Sequence, residues 1–228
     1  MLSRYWAIGM CWAFATLAIA LGGCERMEAP QIEAGERPAA MGGSQTEINA
    51  LPQLDGEATV VLTVGGRSIT IQVNGNKAPV TAGNFVDLVD RGFYEGLTFH
   101  RVVRDPRPLL VQGGEPPSQE AIRRHVPLEL LPQGADGPIY GETFEQAGIS
   151  APPALPHERG TVSMARSQMP NSASSEFFIA LADLPFLDGH YAAFGRVTEG
   201  MAAVEAIEPG DHIQSSEVVR GLERLQRP

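Results

Sequence analysis

The sequence has almost no lysine. Lys77 is the only one among 228 residues, and with 27 acidic against 17 basic side chains the net charge is −10. No basic run is available to neutralise phosphates or to hold anionic lipid by charge, which excludes nucleic acid as an expected partner. Cysteine is nearly as scarce: Cys11 and Cys24 are the only two, and both fall within the first 24 residues. That rules out a disulfide-stapled domain and leaves no cysteine nucleophile or zinc–thiolate set in the rest of the chain. The five histidines, His100, His125, His157, His190 and His212, show no metal-ligand spacing. What is abundant is glycine, at 25, and proline, at 18, without a fixed period. Many turns follow, together with at least one irregular stretch. The 43% hydrophobic content is enough for the core of one domain.

The N-terminus reads as an address. Arg4 precedes the nineteen uncharged residues Tyr5 to Gly23, which end in Leu21-Gly22-Gly23-Cys24 before charge resumes at Glu25. This has the order of a secretory signal over residues 1–23. The four-residue ending resembles the bacterial lipobox, which makes Cys24 the expected lipid-bearing residue. Plain cleavage and an uncleaved anchor are the competing readings, since about 20 apolar residues span a bilayer. All three tether or deliver the domain to the far side of a membrane, periplasmic or thylakoid-lumenal. Residues 24–56, rich in Glu, Ala, Pro, Gly and Gln, read as a flexible tether.

The globular domain is expected over residues 57–228. Ala58 to Val64 and Arg67 to Val73 flank Gly65-Gly66, and the second run alternates, with Ile69, Ile71 and Val73 on one face. A hairpin with a two-residue turn is predicted. Phe85, Leu88 and Val89 fall at helical spacing between Thr81, a candidate N-cap, and Gly92, a candidate stop. Short strands are predicted at Leu97 to Val103, Leu109 to Gln112, Thr161 to Ala165, Glu176 to Ala180, Ala192 to Val197 and Ile213 to Val219, with a second helix at Gly200 to Ile207. The sum is an all-β class, a closed eight-stranded antiparallel barrel capped by two short helices. The Pro-rich insert around 115–159 reads as an elaborated surface excursion.

Phe99-His100-Arg101-Val102-Val103 followed by Gln112-Gly113-Gly114 resembles the cyclophilin-type peptidyl-prolyl isomerases. The resemblance continues in order through Tyr140-Gly141-Glu142, Gly160 to Ala165, Ser175-Glu176-Phe177-Phe178-Ile179, Leu187-Asp188-Gly189 and Phe194-Gly195-Arg196-Val197. Singly each motif has an ordinary explanation, as surface arginine, core phenylalanine pair or turn; the ordered set is what carries the likeness. The entry Ala78-Pro79-Val80-Thr81 and the insert are similar to exported cyanobacterial and thylakoid-lumen relatives. The resemblance implies an enzyme for X-Pro bonds in proline-containing polypeptides, with no cofactor and no metal; nothing in the sequence suggests an interface, and a monomer is the expectation.

Isomerisation crosses a barrier of about 20 kcal/mol in tens of seconds, and no bond need break to speed it. A cationic donor aimed at the prolyl nitrogen of the twisted amide, beside an apolar slot, meets that need. The resemblance implies that Arg101 is this donor and that Gln112 hydrogen-bonds it and the substrate carbonyl. It also implies that Leu110, Phe178 and Leu187 form the slot and that the backbone around Ala165 and Arg166 grips the peptide. Phe99, by strand alternation, is expected on Arg101's face. Departures from the family pattern surround the same site. Arg104 to Pro108 are extra residues, Leu109 stands for a groove phenylalanine, Phe186 for a drug-binding tryptophan and Tyr191 for a histidine. Glu176 replaces a glutamine and is expected to pair with Arg101, orienting it while offsetting its field. Turnover below the family's, or a binding and assembly module without turnover, is the alternative these changes raise.

Overall fold

The computed structural model describes residues 45–116, 118 and 124–228. The expected signal, Cys24 and the tether as far as residue 44 lie outside them. Among the described residues no helix is long and apolar enough to cross a membrane.

In chain order the elements are α1 (Gln45–Asn49), β1 (Gln53–Leu54), β2 (Glu57–Val64), β3 (Arg67–Asn74), α2 (Pro79–Asp90), β4 (Phe99–Val103), β5 (Leu110–Gly113), β6 (Glu129–Leu130), β7 (Ile139–Tyr140), β8 (Thr161–Met164), β9 (Phe177–Ala180), β10 (Ala193–Glu199), α3 (Met201–Glu205), β11 (Ile213–Arg220) and β12 (Leu225–Gln226). Eight strands form one antiparallel sheet in the order β11-β2-β3-β10-β8-β9-β5-β4. Its two edges meet where β4 and β11 begin. Thr98 and His212 form a bridge there, and backbone hydrogen bonds of 2.8–2.9 Å link Gly96, Leu97 and Phe99 to Gly210, Asp211 and Ile213. The seam is thus stitched locally, consistent with the expected eight-stranded barrel.

The hairpin of β2 and β3 forms as its alternation predicts. Ala58, Val60, Leu62 and Val64 point inward from β2, and Ile69, Ile71 and Val73 from β3. Gly65 and Gly66 both have positive φ, 56° and 71°, the backbone that a two-residue turn between twisted strands requires. Over this sheet lies α2, whose Phe85 ring centroid is 5.3 Å from that of Tyr94, 5.4 Å from Phe177 and 5.0 Å from Phe194.

Three sequence expectations are corrected. Residues 45–56, read as tether, are folded onto the domain: Ile48 and Leu54 are buried, and β1 pairs with β12 at Gln53–Gln226 and Leu54–Leu225. Thr81 does not cap α2, which begins at Pro79 without any side-chain cap from Ala78. The insert supplies the missing acceptor. Buried Glu129 takes the Val80 N–H at 3.1 Å and the Thr81 N–H at 2.7 Å, and the Tyr140 hydroxyl donates to it at 3.0 Å. Burial pushes this carboxyl above its ordinary range, against the pull of those donors. Finally, the insert is not a mere surface excursion. Its Leu128, Leu130 and Phe144 join Ala192 in a second apolar cluster, with Ile139 and Ile149 packed against it.

Candidate active site

β4, β5 and β9 lie side by side, with Arg101 opposite Gln112 and Gln112 opposite Phe178. On β5 the alternation is regular, so Val111 and Gly113 face the core while Leu110 and Gln112 face outward. On β4 it is broken. The register steps from Phe99–Gly113 to Arg101–Gln112, two residues against one, which is a β-bulge at His100. The extra residue turns Phe99 and Arg101 to opposite faces. Phe99 is fully buried and packs edge-on against Phe177 at 5.9 Å. It therefore supports the site from behind and does not line it, contrary to the expectation from alternation.

The glycines after Gln112 are required by this packing. A Cβ on Gly113 would lie 2.9 Å from Phe99 Cδ1 and 3.0 Å from the Thr98 carbonyl oxygen. Gly114, at φ +82°, would meet Tyr94 at 2.8 Å. Close approach of the β4 backbone and the Tyr94 ring to β5 leaves no room for side chains.

Outside the barrel wall, Arg101, Gln112 and the apolar Leu109, Leu110, Phe178, Phe186 and Leu187 surround a cleft of about 320 Å³, completed by Ala165, Arg166 and Tyr191. Ten of the twelve predicted groove residues come together there. Glu176 lies just behind. Arg101 Nη1 donates to Gln112 Oε1 at 3.1 Å, and Gln112 Nε2 donates to Glu176 Oε2 at 2.8 Å. Glu176 Oε2 is also 3.4 Å from His100 Nε2. The expected Arg101–Glu176 pair is thus replaced by a relay. Glu176 fixes the Gln112 amide, the amide oxygen then faces Arg101, and no carboxylate pairs with Arg101 among the described residues.

Phe178, only 3% exposed, meets the Tyr191 ring edge-on at 5.8 Å. The Arg166 guanidinium lies 4.8 Å from the Tyr191 ring centroid and donates to the carbonyls of His190, Ser167 and Gln168. Its side chain braces the groove, leaving the Ala165–Arg166 backbone beside the cleft. The extra segment Arg104 to Pro108 does not line it: Arg104 turns to the end of α3, donating to the Glu205 and Ile207 carbonyls and pairing with Glu208.

Sequence reasoning missed one group behind the slot. His157 is buried, with Nδ1 2.8 Å from Asp188 Oδ1 and Nε2 3.1 Å from Ser163 Oγ. Burial lowers its pKa against the opposing pull of Asp188. Its partners are 31 and 6 residues away in sequence, so no local pattern announced it; the signals were its partners' places in motifs, Asp188 in Leu187-Asp188-Gly189 and Ser163 in Gly160 to Ala165.

Residues 59–223 match the model of the cyclophilin type peptidyl-prolyl cis-trans isomerase family. The chain is 41% identical over 197 residues to a Synechocystis protein named as a thylakoid lumen peptidyl-prolyl cis-trans isomerase, covering 78% of this chain and 51% of that protein. It is 37% identical over 209 residues to the chloroplastic peptidyl-prolyl cis-trans isomerase CYP38 of Arabidopsis thaliana, covering 80% and 47%. The chain thus spans about half the length of these curated relatives. A crystal structure of a cyclophilin-type isomerase from Cryptosporidium parvum, determined in the presence of the dipeptide Ala-Pro, superimposes with a TM-score of 0.54 at 22% identity, covering 71% of this chain and 99% of that one. At that identity the likeness speaks for the fold.

Proposed function

The chain belongs to the cyclophilin-type peptidyl-prolyl cis-trans isomerase family, and from that premise we propose that its cleft accelerates cis/trans isomerisation of X-Pro bonds in exported polypeptides. The observation that carries the reading is the guanidinium of Arg101, free of any carboxylate among the described residues, beside an apolar slot and held by Gln112 alone.

Twisting the X-Pro amide breaks its resonance and localises a lone pair on the prolyl nitrogen. A guanidinium remains protonated throughout and offers several donors in a rigid plane, so Arg101 hydrogen-bonds that nitrogen most strongly when the amide is twisted. Leu110, Phe178 and Leu187 hold the ring, Leu109, Phe186 and Tyr191 form the rim, and the Ala165–Arg166 backbone holds the flanking peptide. Gln112, oriented by Glu176, shares its amide between Arg101 and the substrate carbonyl. An acceleration of ~10⁵-fold requires about 7 kcal/mol from these sources together.

A protease-coupled assay on the full chain tests this. Arg101→Ala is expected to lower kcat/KM by about 10²-fold or more. Equal rates, with retained partner binding, would instead favour a binding and assembly module.

The same proposal places the monomeric domain beyond a membrane, tethered through lipid-modified Cys24. Its support is the signal-like order of residues 1–23 and the lumenal name of the 41% identical relative. Cys24→Ala is expected to release the protein from membranes and change its mobility; unchanged association would remove the lipid from the account.

A further inference from the structure

Asp188, His157 and Ser163 form a hydrogen-bonded string with the spacing of a hydrolytic triad, at 2.8 and 3.1 Å. Hydrolysis is not its role. Ser163 is fully buried on β8, so its hydroxyl has no path to a substrate, and nucleophile chemistry needs one. A buried polar string of this kind costs desolvation that a well-packed apolar residue would avoid, and its compensating property is fixed geometry.

The contacts of His157 divide between the two sides of the cleft. Its ring lies 15° from the plane of Phe178 with centroids 6.0 Å apart, under the proposed floor of the slot. Nε2 reaches Ser163, which pairs across the ladder with Phe178. The His157 backbone N–H donates to Asp188 Oδ1 at 2.8 Å, and its carbonyl accepts the Leu184 N–H at 2.7 Å. Leu184 and Asp188 bracket the turn that carries Phe186 and Leu187. One residue thus ties the β9 floor to the opposite wall.

We propose that His157 is the positioning residue of the proline slot, setting the separation of Phe178 from Leu187 and so the place of the prolyl nitrogen before Arg101. This rests on the isomerase reading of the cleft. Asp188 accepts the Nδ1–H and fixes the tautomer, which leaves Nε2 to accept the Ser163 hydroxyl. Loss of the string leaves the wall attached to the barrel but lets the two sides drift. A misplacement near 1 Å is worth roughly 10²-fold in rate where reacting groups must align, and partial drift about 10-fold.

The test compares His157→Phe, which keeps a ring against Phe178 but loses both hydrogen bonds, with Asp188→Ala and Asp188→Asn. The asparagine retains an acceptor at Oδ1 and serves as the conservative rescue. Val60→Ala, from the fully buried β2 core, controls for destabilisation alone. Per folded molecule, His157→Phe and Asp188→Ala are expected to lose about 10-fold in kcat/KM, while Asp188→Asn and Val60→Ala stay near wild type. Losses no larger than that of Val60→Ala would overturn the proposal. A second readout does not depend on activity: the full chain is labelled with 4-fluorophenylalanine and the Phe178 resonance is assigned by Phe178→Leu. A single line is expected in wild type, split or broadened in Asp188→Ala, and restored in Asp188→Asn; His157→Phe is left out of this readout because its new ring would itself carry the label. If wild type lacks isomerase activity, the functional reading fails and this line alone decides the positioning role. An unchanged line in Asp188→Ala would then overturn it.

Discussion

Replacing Glu176 with alanine removes the acceptor that holds the Gln112 amide, and the structure allows the effect to be sized. Gln112 Nε2 donates to Glu176 Oε2 at 2.8 Å, and the same amide presents Oε1 to Arg101 at 3.1 Å. A hydrogen bond to a charged group contributes about 1.5–3 kcal/mol when shielded. The Glu176 side chain is 33% exposed, so solvent screening reduces this to about 1 kcal/mol. Freed to rotate, the amide turns its NH₂ group toward Arg101 for part of the time, and donor then faces donor. About 1 kcal/mol corresponds to roughly a 5-fold loss in kcat/KM. Glu176→Gln separates geometry from charge. Its side-chain oxygen still accepts from Gln112, while a negative charge that opposes the Arg101 field is gone. This variant is expected to match or exceed wild type within about 2-fold. The assay is isomerisation of an Ala-Pro peptide at fixed ionic strength with both variants in parallel. An alanine variant as active as wild type would refute the relay, and a glutamine variant as impaired as alanine would show that charge, not amide orientation, is what Glu176 supplies.

Further outcomes follow from the same structure. Glu129→Ala leaves two N–H groups of α2 and the Tyr140 hydroxyl without their acceptor, and urea unfolding should show a loss of about 2–3 kcal/mol; a change below about 0.5 kcal/mol would mean that water replaces the cap. Burial alone would raise the pKa of Asp87, but hydrogen bonds from Arg227 and Arg124 outweigh it and hold the carboxyl below its ordinary range. Its stabilising contribution is therefore present above about pH 4 and lost as pH falls through the depressed native value. The stability gap between wild type and Asp87→Asn should narrow in that acid range, and a gap independent of pH would contradict the assignment. Phe186, 55% exposed at the cleft rim, offers no N–H donor, so cyclosporin is expected to bind weakly by calorimetry; nanomolar affinity would contradict this.

The parts of the fold legible in the sequence are those written in periodicity. β2 and β3 alternate because one face of each is buried, and α2 announced itself by its apolar spacing although every residue from Val80 to Val89 is buried. The bulge at His100 was not legible, since one extra residue leaves no mark in a run of five, yet it moves Phe99 from groove to core. The insert was hidden for a different reason. Its buried residues serve a small second cluster and a cap for α2, through two-residue strands too short to carry a period. Most of the cleft could be named because ordered motifs carried it. The couplings between motifs could not, as with Gln112 standing between Arg101 and Glu176, or His157 joining Ser163 to Asp188.

Exchange spectroscopy on a proline peptide at equilibrium, with the full chain present in catalytic amount, tests the role of Arg101 most directly. Wild type is expected to bring cis and trans resonances into exchange far faster than the uncatalysed tens of seconds, and Arg101→Ala to slow that catalysed exchange by about 10²-fold or more. Equal exchange with the two proteins would contradict the account.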